Sequence, residues 1–314
     1  MSAYRDLTPA DLDHIRALGG ADAIAACEPI TAGIENSNWF VTLCYGTRRV
    51  ACVLTLVEAV PADELPFFIA LTDALAEADL PVPMALRLAG GRRQFLLQDR
   101  PALLVPRMPG SHIDTPTPAL CRVAGNMLAQ LHRHGRACAF RRERPDHLWW
   151  PVAFASVAAL LPPATHDELG AALLDASRTF AQVRALPQGV IHGDYFRDNV
   201  LVDGSGISAV LDFFHATQDV LAWDIAIALN DWAAGAGEPD AGRAQAFIAG
   251  YGEIRPLETG EQAWLPALRR AAAARFWLSR LLAAQRPAAT GAPVQRKAPE
   301  EMQQLWRALR EISA

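Results

Sequence analysis

The chain has 314 residues, 51% of them hydrophobic and 20% charged, with a formal net charge of -5 at pH 7, and it is long enough for two ordinary domains or one large one. Its arginines are scattered among acids along the whole length, which leaves no basic stripe to follow a phosphate backbone and excludes nucleic acid as an expected partner. Only one of the 29 basic residues is a lysine, Lys297 in a polar stretch, which excludes a Walker A loop and a pyridoxal Schiff base.

The first third of the chain mixes helix and strand signals. A Thr-Pro start and a Gly-Gly end predict a helix over residues 8–19. Two apolar runs broken at a Gly-Thr pair predict a hairpin over residues 39–58, and apolar positions at helical spacing predict a helix over residues 65–78. Further apolar runs indicate strands within residues 83–90 and 93–108.

After the stretch "VPRMPGS" most of the sequence is typical of helices. The periodic stretches predict helices over residues 118–134, 151–185 with a break at a Pro-Pro pair, 221–234, 239–252 and 261–285. Residues 286–299 are rich in Pro, Gly and Ala and are expected to form a solvent loop. We therefore expect an α+β, two-lobed architecture: a small β-rich lobe with a helix over residues 1–105, and a larger, mainly helical lobe over residues 106–314.

The cysteines and the hydropathy pattern indicate where the protein resides. The five cysteines form no Cys-x-x-Cys pair and lie at no metal-ligand spacing from histidine, so we expect inert thiols in a reducing compartment. No run of about 18 apolar residues occurs, and the N-terminal segment is acidic and amphipathic. The sequence therefore predicts a soluble cytoplasmic protein without a membrane partner.

The stretch "VIHGDYFRDNVLVDGSGISAVLDFF", residues 190–214, interrupts the helical pattern with a polar cluster between apolar runs. It is typical of a strand, a polar loop and a short hairpin. The hairpin places Asn199 at its mouth and brings Asp212, thirteen residues later, back alongside it. Asp194, on the preceding loop, is expected to face the same cavity.

These polar side chains suit phosphoryl transfer. Oxygens of Asn199 and Asp212 suit Mg²⁺, a hard cation that takes few protein ligands and keeps other positions for water and phosphate oxygens. Asp194 is then available to orient and deprotonate a hydroxyl nucleophile. Taken alone, each of these residues is better explained as a turn cap or a satisfied buried acid, but the spacing H-G-D-x-x-x-x-N followed by L-D-F favours a catalytic site.

"HGDYFRDN" and "LDF" resemble the catalytic loop and metal-binding segment of the aminoglycoside phosphotransferase and choline kinase family, distant relatives of protein kinases. Within that family, "GIENSNWFV", "VLTLVE", "HGDYFRDNVLVDG" and "LAWDIAIALNDW" are similar to segments of bacterial homoserine kinases, in the same order. The resemblance implies a two-lobed protein-kinase-like fold, ATP and Mg²⁺ as cofactors, and phosphorylation of the homoserine hydroxyl on the route to threonine.

Carried over to this sequence, the resemblance implies that Asp194 is the catalytic base and that Asn199 and Asp212 are the Mg²⁺ ligands. It also implies that Asp224, in "WDIA", hydrogen-bonds the backbone of the catalytic loop. His192 is expected to brace that loop rather than to transfer protons.

The expected nucleotide site departs from the family pattern, because Thr55 stands where most kinase-like enzymes place a phosphate-binding lysine on the third strand. Arg48, Arg49 or the turn "GIENSN" are the candidates to replace that lysine. The nucleotide-binding candidates in this turn are Gly33, Asn36, Ser37 and Asn38, although an ordinary hairpin bend would show the same pattern. The adenine is expected at backbone groups of Val105 and Arg107, where an edge strand and linker remain an alternative.

A small amino acid alcohol needs an anion for its ammonium group and a cation for its carboxylate. The acceptor-binding candidates near the catalytic loop are Arg197, Asp198, Asp231, Arg275 and Arg280. For each of them a surface position or a structural ion pair is an equal alternative. His132 and His134, two residues apart on a helix, diverge and predict no metal site.

Two other functions fit the same sequence. The chemistry could serve another small alcohol, such as choline or an aminoglycoside, although the basic residues of the C-terminal helices favour a zwitterionic acceptor over a polycation. The missing strand lysine would also fit a kinase-like binding protein without turnover. The sequence predicts no oligomeric state.

Overall fold

The computed structural model describes residues 6–30, 36–58, 60–143, 146–204, 206–285 and 297–312. The strands of the first lobe are β1 (Ala23–Ile30), β2 (Ser37–Tyr45), β3 (Arg48–Leu56), β4 (Phe95–Leu97) and β5 (Arg100–Pro106). They form one antiparallel sheet in the order β1-β2-β3-β5-β4. Helix α1 (Pro9–Gly19) precedes the sheet, and α2 (Leu65–Glu77) lies between β3 and β4 in the chain.

Local sequence signals explain these elements. The Thr8 side chain accepts from the Asp11 N–H and the Asp11 carboxylate accepts from the Thr8 N–H, a capping box that starts α1 where it was predicted. Along β2, Trp39, Val41 and Leu43 alternate inward and are buried, as a half-buried strand requires. The predicted hairpin and the predicted α2 are both confirmed.

Two features of the first lobe differ from expectation. Strand β1 was not predicted because it is a largely exposed edge strand with a bulge between Ile24 and Ala26, which blurs its apolar alternation. The strand expected within residues 83–90 is wrong: this segment has no strand and contacts the sheet where the Leu86 N–H donates to the Leu104 carbonyl at 2.7 Å. Pro83 lacks an N–H, and Gly90 has a φ of 74°, so a regular strand cannot form there.

The second lobe is mainly helical. Its helices are α3 (Pro118–His134), α4 (Trp150–Ala158), α5 (Pro163–Gln182), α6 (Leu221–Trp232), α7 (Ala241–Gly252), α8 (Thr259–Gln285) and α9 (Pro299–Ile312). The predicted helices are confirmed with small shifts at their ends. Within the described residues, none of the helices is both long enough and apolar enough to span a bilayer.

Two short antiparallel pairs lie among these helices. Strand β6 (Gln188–Ile191) pairs with β9 (Thr217–Val220), and β7 (Val200–Asp203) pairs with β8 (Gly206–Val210). The β7–β8 hairpin was predicted, whereas β9 was not. A further two-residue pair, β10 (Ala234–Gly235) and β11 (Glu238–Pro239), follows α6.

Separate apolar cores support the two lobes. One cluster joins α1 to the five-stranded sheet, with Trp39, Leu54 and Leu104 at its centre. The larger cluster joins the helices of the second lobe and includes α2, whose Phe67 and Leu71 pack against it. Helix α2 thus packs on the second lobe although it precedes residue 106 in sequence, and the boundary between residues 105 and 106 stays a prediction.

The connection between the lobes is attached to the β7–β8 hairpin. Ser111 forms a bridge with Val202, and the Ser208 hydroxyl donates to the Pro109 carbonyl at 2.8 Å. Gly110 has a φ of 106°, and a Cβ there would meet the Val202 carbonyl oxygen at 2.9 Å, so this close approach needs glycine. The connection is therefore held beside the segment that carries the predicted catalytic residues.

Helices α3 and α7 pack main chain against main chain. A Cβ on Gly125 of α3 would overlap the Phe247 backbone, and a Cβ on Gly250 of α7 would overlap the Arg122 backbone. Because both positions are glycine, the helices approach closely enough for Tyr251 of α7 to reach across to α3.

We predict that Gly125→Ala lowers the free energy of unfolding by about 1–3 kcal/mol, because the added methyl group forces the two helices apart. Urea denaturation of the purified variant measures this change. Gly252→Ala is the matched control on α7: a Cβ there meets nothing within 4 Å, so this variant should be neutral or up to about 1 kcal/mol more stable. Equal stability of Gly125→Ala and the wild type would contradict the close packing.

Candidate active site

The predicted catalytic loop, residues 192–199, connects β6 to β7 and ends in a 3₁₀ turn, Arg197–Asn199. Strand β6 is held by β9, while β7 and β8 form the hairpin, so both ends of the loop are fixed by strand pairing. Gly193 has a φ of 77°, and a Cβ there would meet the His215 carbonyl oxygen at 2.6 Å. Only glycine allows the loop to turn this close to the segment after β8.

The carboxylate of Asp224, on α6, holds the start of this loop. It accepts from the backbone N–H groups of His192 at 2.7 Å and Gly193 at 2.9 Å, and it lies 2.9 Å from His132 Nε2. Asp224 is fully buried. Burial by itself favours the neutral acid, but the hydrogen bond and charge of His132 and the His192 contacts hold the pKa of Asp224 below its ordinary value.

His132 extends this network to two further helices. From α3 its Nε2 meets Asp224, and its Nδ1 lies 2.8 Å from the Tyr251 hydroxyl on α7. Sequence reasoning missed this role of His132, although a histidine on the apolar face of a helix is a signal for a buried polar contact. Its contacts make it a support of the loop.

His192 is placed to brace the loop. Its Nε2 donates to the Leu211 carbonyl at 2.9 Å, and its Nδ1 accepts from the Asp194 N–H at 3.3 Å. Because Nδ1 accepts, the ring is neutral with its proton on Nε2. Burial lowers the pKa of His192, which agrees with a neutral ring that links the loop to the end of β8.

Asp194 and Asn199 lie together at the two ends of the loop. The Asn199 side-chain amide donates to both the carbonyl and the carboxylate oxygen Oδ2 of Asp194, at 2.9 Å each. The two acceptors fix the orientation of the amide, so its nitrogen faces Asp194 and its oxygen Oδ1 is available to a cation. The same contact leaves Asp194 Oδ1 for another donor.

Asp212 returns alongside Asn199 as the sequence predicted. The Leu211 N–H donates to the Asn199 carbonyl at 2.8 Å, which places the next residue beside the mouth of the hairpin. Asp212 has a φ of 54°, and its Oδ1 accepts from the Phe214 N–H at 3.3 Å. A non-glycine residue in this region carries strain of the kind found at ligand sites, and here it turns the chain sharply after β8.

The donor set fits a magnesium ion with few protein ligands. Within the described residues, no three or more His, Cys, Asp or Glu side chains cluster to hold a metal ion. Asn199 and Asp212 instead offer one amide oxygen and one carboxylate, which are hard oxygen ligands of the kind that Mg²⁺ accepts together with water and phosphate.

The first-lobe candidates form a polar network at the adjoining ends of β2 and β3. The Thr55 hydroxyl donates to Asn38 Oδ1 at 2.7 Å across the strand pair, and the Ser37 hydroxyl donates to the Glu58 carboxylate at 3.0 Å. The Glu58 N–H donates to Asn36 Oδ1 at 2.8 Å. Gly33 lies outside the described residues. Thr55 thus takes part in a network of hydroxyl, amide and carboxylate groups at the position where most kinase-like enzymes have a lysine.

Arg48 and Arg49 do not reach this network. They lie at the hairpin end of β3, opposite Tyr45 and Cys44, whereas Thr55 lies near its other end. Seven residues of extended chain separate Arg48 from Thr55, a distance of about 23 Å. The expectation that either arginine replaces the strand lysine is wrong.

The backbone of the lobe connection faces β3 at Val105 and Arg107. The Arg107 N–H donates to the Ala51 carbonyl at 3.0 Å, and its guanidinium lies 4.0 Å from the Phe40 ring centre. Hydrogen bonds alternate along an antiparallel pair, so the backbone groups of Val105, opposite Val53, also face β3. The carbonyl group of Pro106, the last residue of β5, faces the other way. The N–H groups of Val105 and Arg107 are therefore turned toward β3, and adenine binding at the backbone of these two residues stays a prediction.

The acceptor candidates are brought to the face beside the catalytic loop, but most are already paired. Arg197 Nε donates to the Asp231 carboxylate at 2.9 Å, and Asp231 is buried. Arg280 donates to Glu301 at 2.7 Å. These three charges therefore already bind other protein groups, and their assignment to the acceptor stays a prediction.

The other two acceptor candidates differ in exposure. The guanidinium of Arg275 is buried and lies 3.9 Å from the Phe276 ring centre. Asp198 is exposed at the end of the catalytic loop and pairs with Lys297. Asp198 is the candidate that a ligand in solution reaches most directly.

Comparison with known proteins places this geometry in a family. The model of the "phosphotransferase enzyme family" matches residues 26–257. A homoserine kinase from Pseudomonas aeruginosa (strain UCBPP-PA14) is 40% identical over 281 residues, which cover 89% of this chain and 85% of the relative. A homoserine kinase from Methylobacillus flagellatus is 43% identical over 254 residues, covering 80% of this chain and 78% of the relative.

Solved structures show the same fold. An amicoumacin kinase in complex with AMP-PNP, Ca²⁺ and Ami is similar with a TM-score of 0.71 at 14% identity, over 96% of this chain and 91% of that one. A microcompartment-associated aminopropanol kinase is similar with a TM-score of 0.67 at 19% identity, over 97% of this chain and 94% of that one. The predicted two-lobed protein-kinase-like fold is confirmed. By the match of the family model and by its relatives, this chain belongs to the phosphotransferase enzyme family.

Proposed function

We propose that the chain is an ATP-dependent homoserine kinase, which transfers the γ-phosphoryl group of ATP to the hydroxyl of L-homoserine. The similarity to relatives named homoserine kinase, at 40% identity over 89% of this chain, carries the proposal. The loop geometry supports it, because an acid, an amide and a second acid meet at one hairpin mouth, as phosphoryl transfer to a hydroxyl requires. We also place the enzyme in the cytoplasm, as its thiols suggest.

In this proposal Asp194 is the general base. The Asn199 amide holds Asp194 Oδ2, so the acceptor hydroxyl would donate to Oδ1. As the acceptor oxygen bonds to the γ-phosphorus, the bond from that phosphorus to the β–γ bridging oxygen breaks and ADP leaves. The hydroxyl proton passes to Asp194 Oδ1.

Asn199 Oδ1 and the Asp212 carboxylate would hold Mg²⁺. When bound, the ion neutralises charge on the phosphate oxygens of the nucleotide. The hydrogen bond from the Leu211 N–H to the Asn199 carbonyl keeps the two ligand-bearing residues side by side. Their role is to fix the ligand oxygens before the nucleotide arrives.

The nucleotide would bind between the lobes. Adenine would meet the Pro106 carbonyl, which faces away from β3, and the N–H of Met108, two residues further along the connection. The phosphates would lie near Ser37, Asn38 and Thr55, whose hydroxyl and amide groups would take the place of the absent lysine.

Release of ADP from Mg-ATP tests the proposal. We predict that L-homoserine accelerates release by the wild-type protein, whereas choline and aminoglycosides do not. Acceleration by one of those alcohols and not by homoserine would overturn the choice of acceptor. Absence of turnover across a broad panel of alcohols would overturn the kinase assignment.

Asp194→Asn is the control within that assay. It keeps the shape of the side chain but removes the proton acceptor, so we expect kcat to fall by about 10² to 10⁴-fold while the KM for ATP stays nearly unchanged. Wild-type turnover by this variant would remove Asp194 from the mechanism.

We predict that Asn199→Ala and Asp212→Ala raise the Mg²⁺ concentration that gives half-maximal activity, because each variant loses one oxygen ligand. A magnesium titration of initial rates measures the change. Asp203→Ala, an exposed acid at the far end of the same hairpin, is the matched control and should titrate like the wild type. Unchanged titrations of both ligand variants would contradict the assignment.

A further inference from the structure

An amino acid alcohol carries its reacting hydroxyl at one end and both of its charges at the other. Its recognition needs an anion and a cation, close to each other and near the general base. Among the acceptor candidates, Arg197 and Asp231 bind each other inside the protein, and Arg280 is paired with Glu301. Neither pair presents two opposite charges at the surface.

Lys297, the only lysine of the chain, lies at the catalytic loop although it follows that loop by about a hundred residues. Its Nζ is 2.6 Å from Asp198 Oδ2 and 4.8 Å from the centre of the Phe196 ring. The Lys297 and Asp198 side chains are 40% and 54% exposed. The loop residue directly before Asn199 thus carries an ion pair that solvent can reach.

The position of Lys297 is built by the start of α9. Arg280 of α8 donates from Nη1 to the Ala298 carbonyl at 2.9 Å and to the Glu301 carboxylate at 2.7 Å. Phe196, the ring beneath the ammonium, is buried and packs on Phe276 at 4.5 Å between ring centres. Buried contacts therefore fix the backbone next to Lys297, while its side chain remains partly exposed to solvent.

We propose that Asp198 and Lys297 bind the charged end of the acceptor: Lys297 binds its carboxylate and Asp198 binds its ammonium. This inference rests on the proposed function and names the residues that select its substrate. An ion pair exposed to solvent contributes little to stability, so it opens at little cost when a zwitterion offers a partner to each charge. Asp198 lies four residues after Asp194 on the same loop, so the hydroxyl end points back to the base.

Two analogues that each lack one charge of homoserine separate the two roles. In 3-aminopropan-1-ol the carboxylate is missing, and in 4-hydroxybutanoate the ammonium is missing. We expect Lys297→Met to lower kcat/KM for homoserine and for 4-hydroxybutanoate by about 10- to 100-fold, the effect of one charge-assisted hydrogen bond. For 3-aminopropan-1-ol, kcat/KM should change less than about twofold, and the KM for ATP should stay constant.

Asp198→Asn gives the converse pattern. It should lower kcat/KM for homoserine and for 3-aminopropan-1-ol by about 10- to 100-fold and leave 4-hydroxybutanoate nearly unchanged. Lys297→Arg keeps the positive charge and should retain most of the homoserine activity. Arg307→Met removes a cation of α9 that pairs with Glu168, and this matched control should behave like the wild type with every acceptor.

Three results would overturn the proposal, and they are distinguishable. If the wild type shows no homoserine-dependent release of ADP, the proposed function fails and the acceptor site fails with it. If the wild type is active and Lys297→Met keeps its kcat/KM for homoserine, only the acceptor site fails. If Lys297→Met lowers kcat/KM equally for all three acceptors, or raises the KM for ATP, Lys297 acts on the nucleotide or on the loop and the proposed role is wrong.

Discussion

The carboxylate of Asp224 is the constraint on which the active-site geometry depends. Removing an ionised carboxylate from water costs several kcal/mol, and at this fully buried position the cost is offset by the N–H groups of His192 and Gly193 and by His132. These bonds fix the backbone where the catalytic loop begins. Because the Asn199 amide in turn binds Asp194, the position of Asp194, the proposed base, and the orientation of the amide follow from this anchor.

The surrounding fold holds Asp224 and its hydrogen-bond partners in place. Every residue of α6 is buried, so the helix that carries Asp224 is surrounded by the second-lobe core. Helices α3 and α7 approach through Gly125 and Gly250, which lets His132 and Tyr251 complete the network. The connection between the lobes is attached to the β7–β8 hairpin at Ser111. Packing and polar contacts therefore act together to hold one loop between two lobes.

Local patterns predicted most of the elements and the polar residues that meet at the mouth of the β7–β8 hairpin. The capping signal at Thr8, the helical periodicities and the spacing of Asp194, Asn199 and Asp212 all lie within short stretches of sequence. The rest depends on contacts between distant segments. The pairing of Arg197 with Asp231, the role of His132 and the return of Lys297 to the loop join residues that are 34, 92 and 99 positions apart. The edge strand β1 was missed for another reason: its many exposed residues obscure the alternation of apolar and polar positions.

The single-turnover rate of phosphoryl transfer in Asp224→Asn tests the central claim most directly, measured at saturating Mg-ATP and homoserine. The substitution keeps the size of the side chain but weakens its hold on the two loop N–H groups and on His132. A displacement of the base by about 1 Å is enough to slow the chemical step by about 10²-fold, and we predict a loss of that size in a variant that remains folded. A rate within about twofold of the wild type would show that the loop keeps its geometry without this carboxylate and would contradict the account.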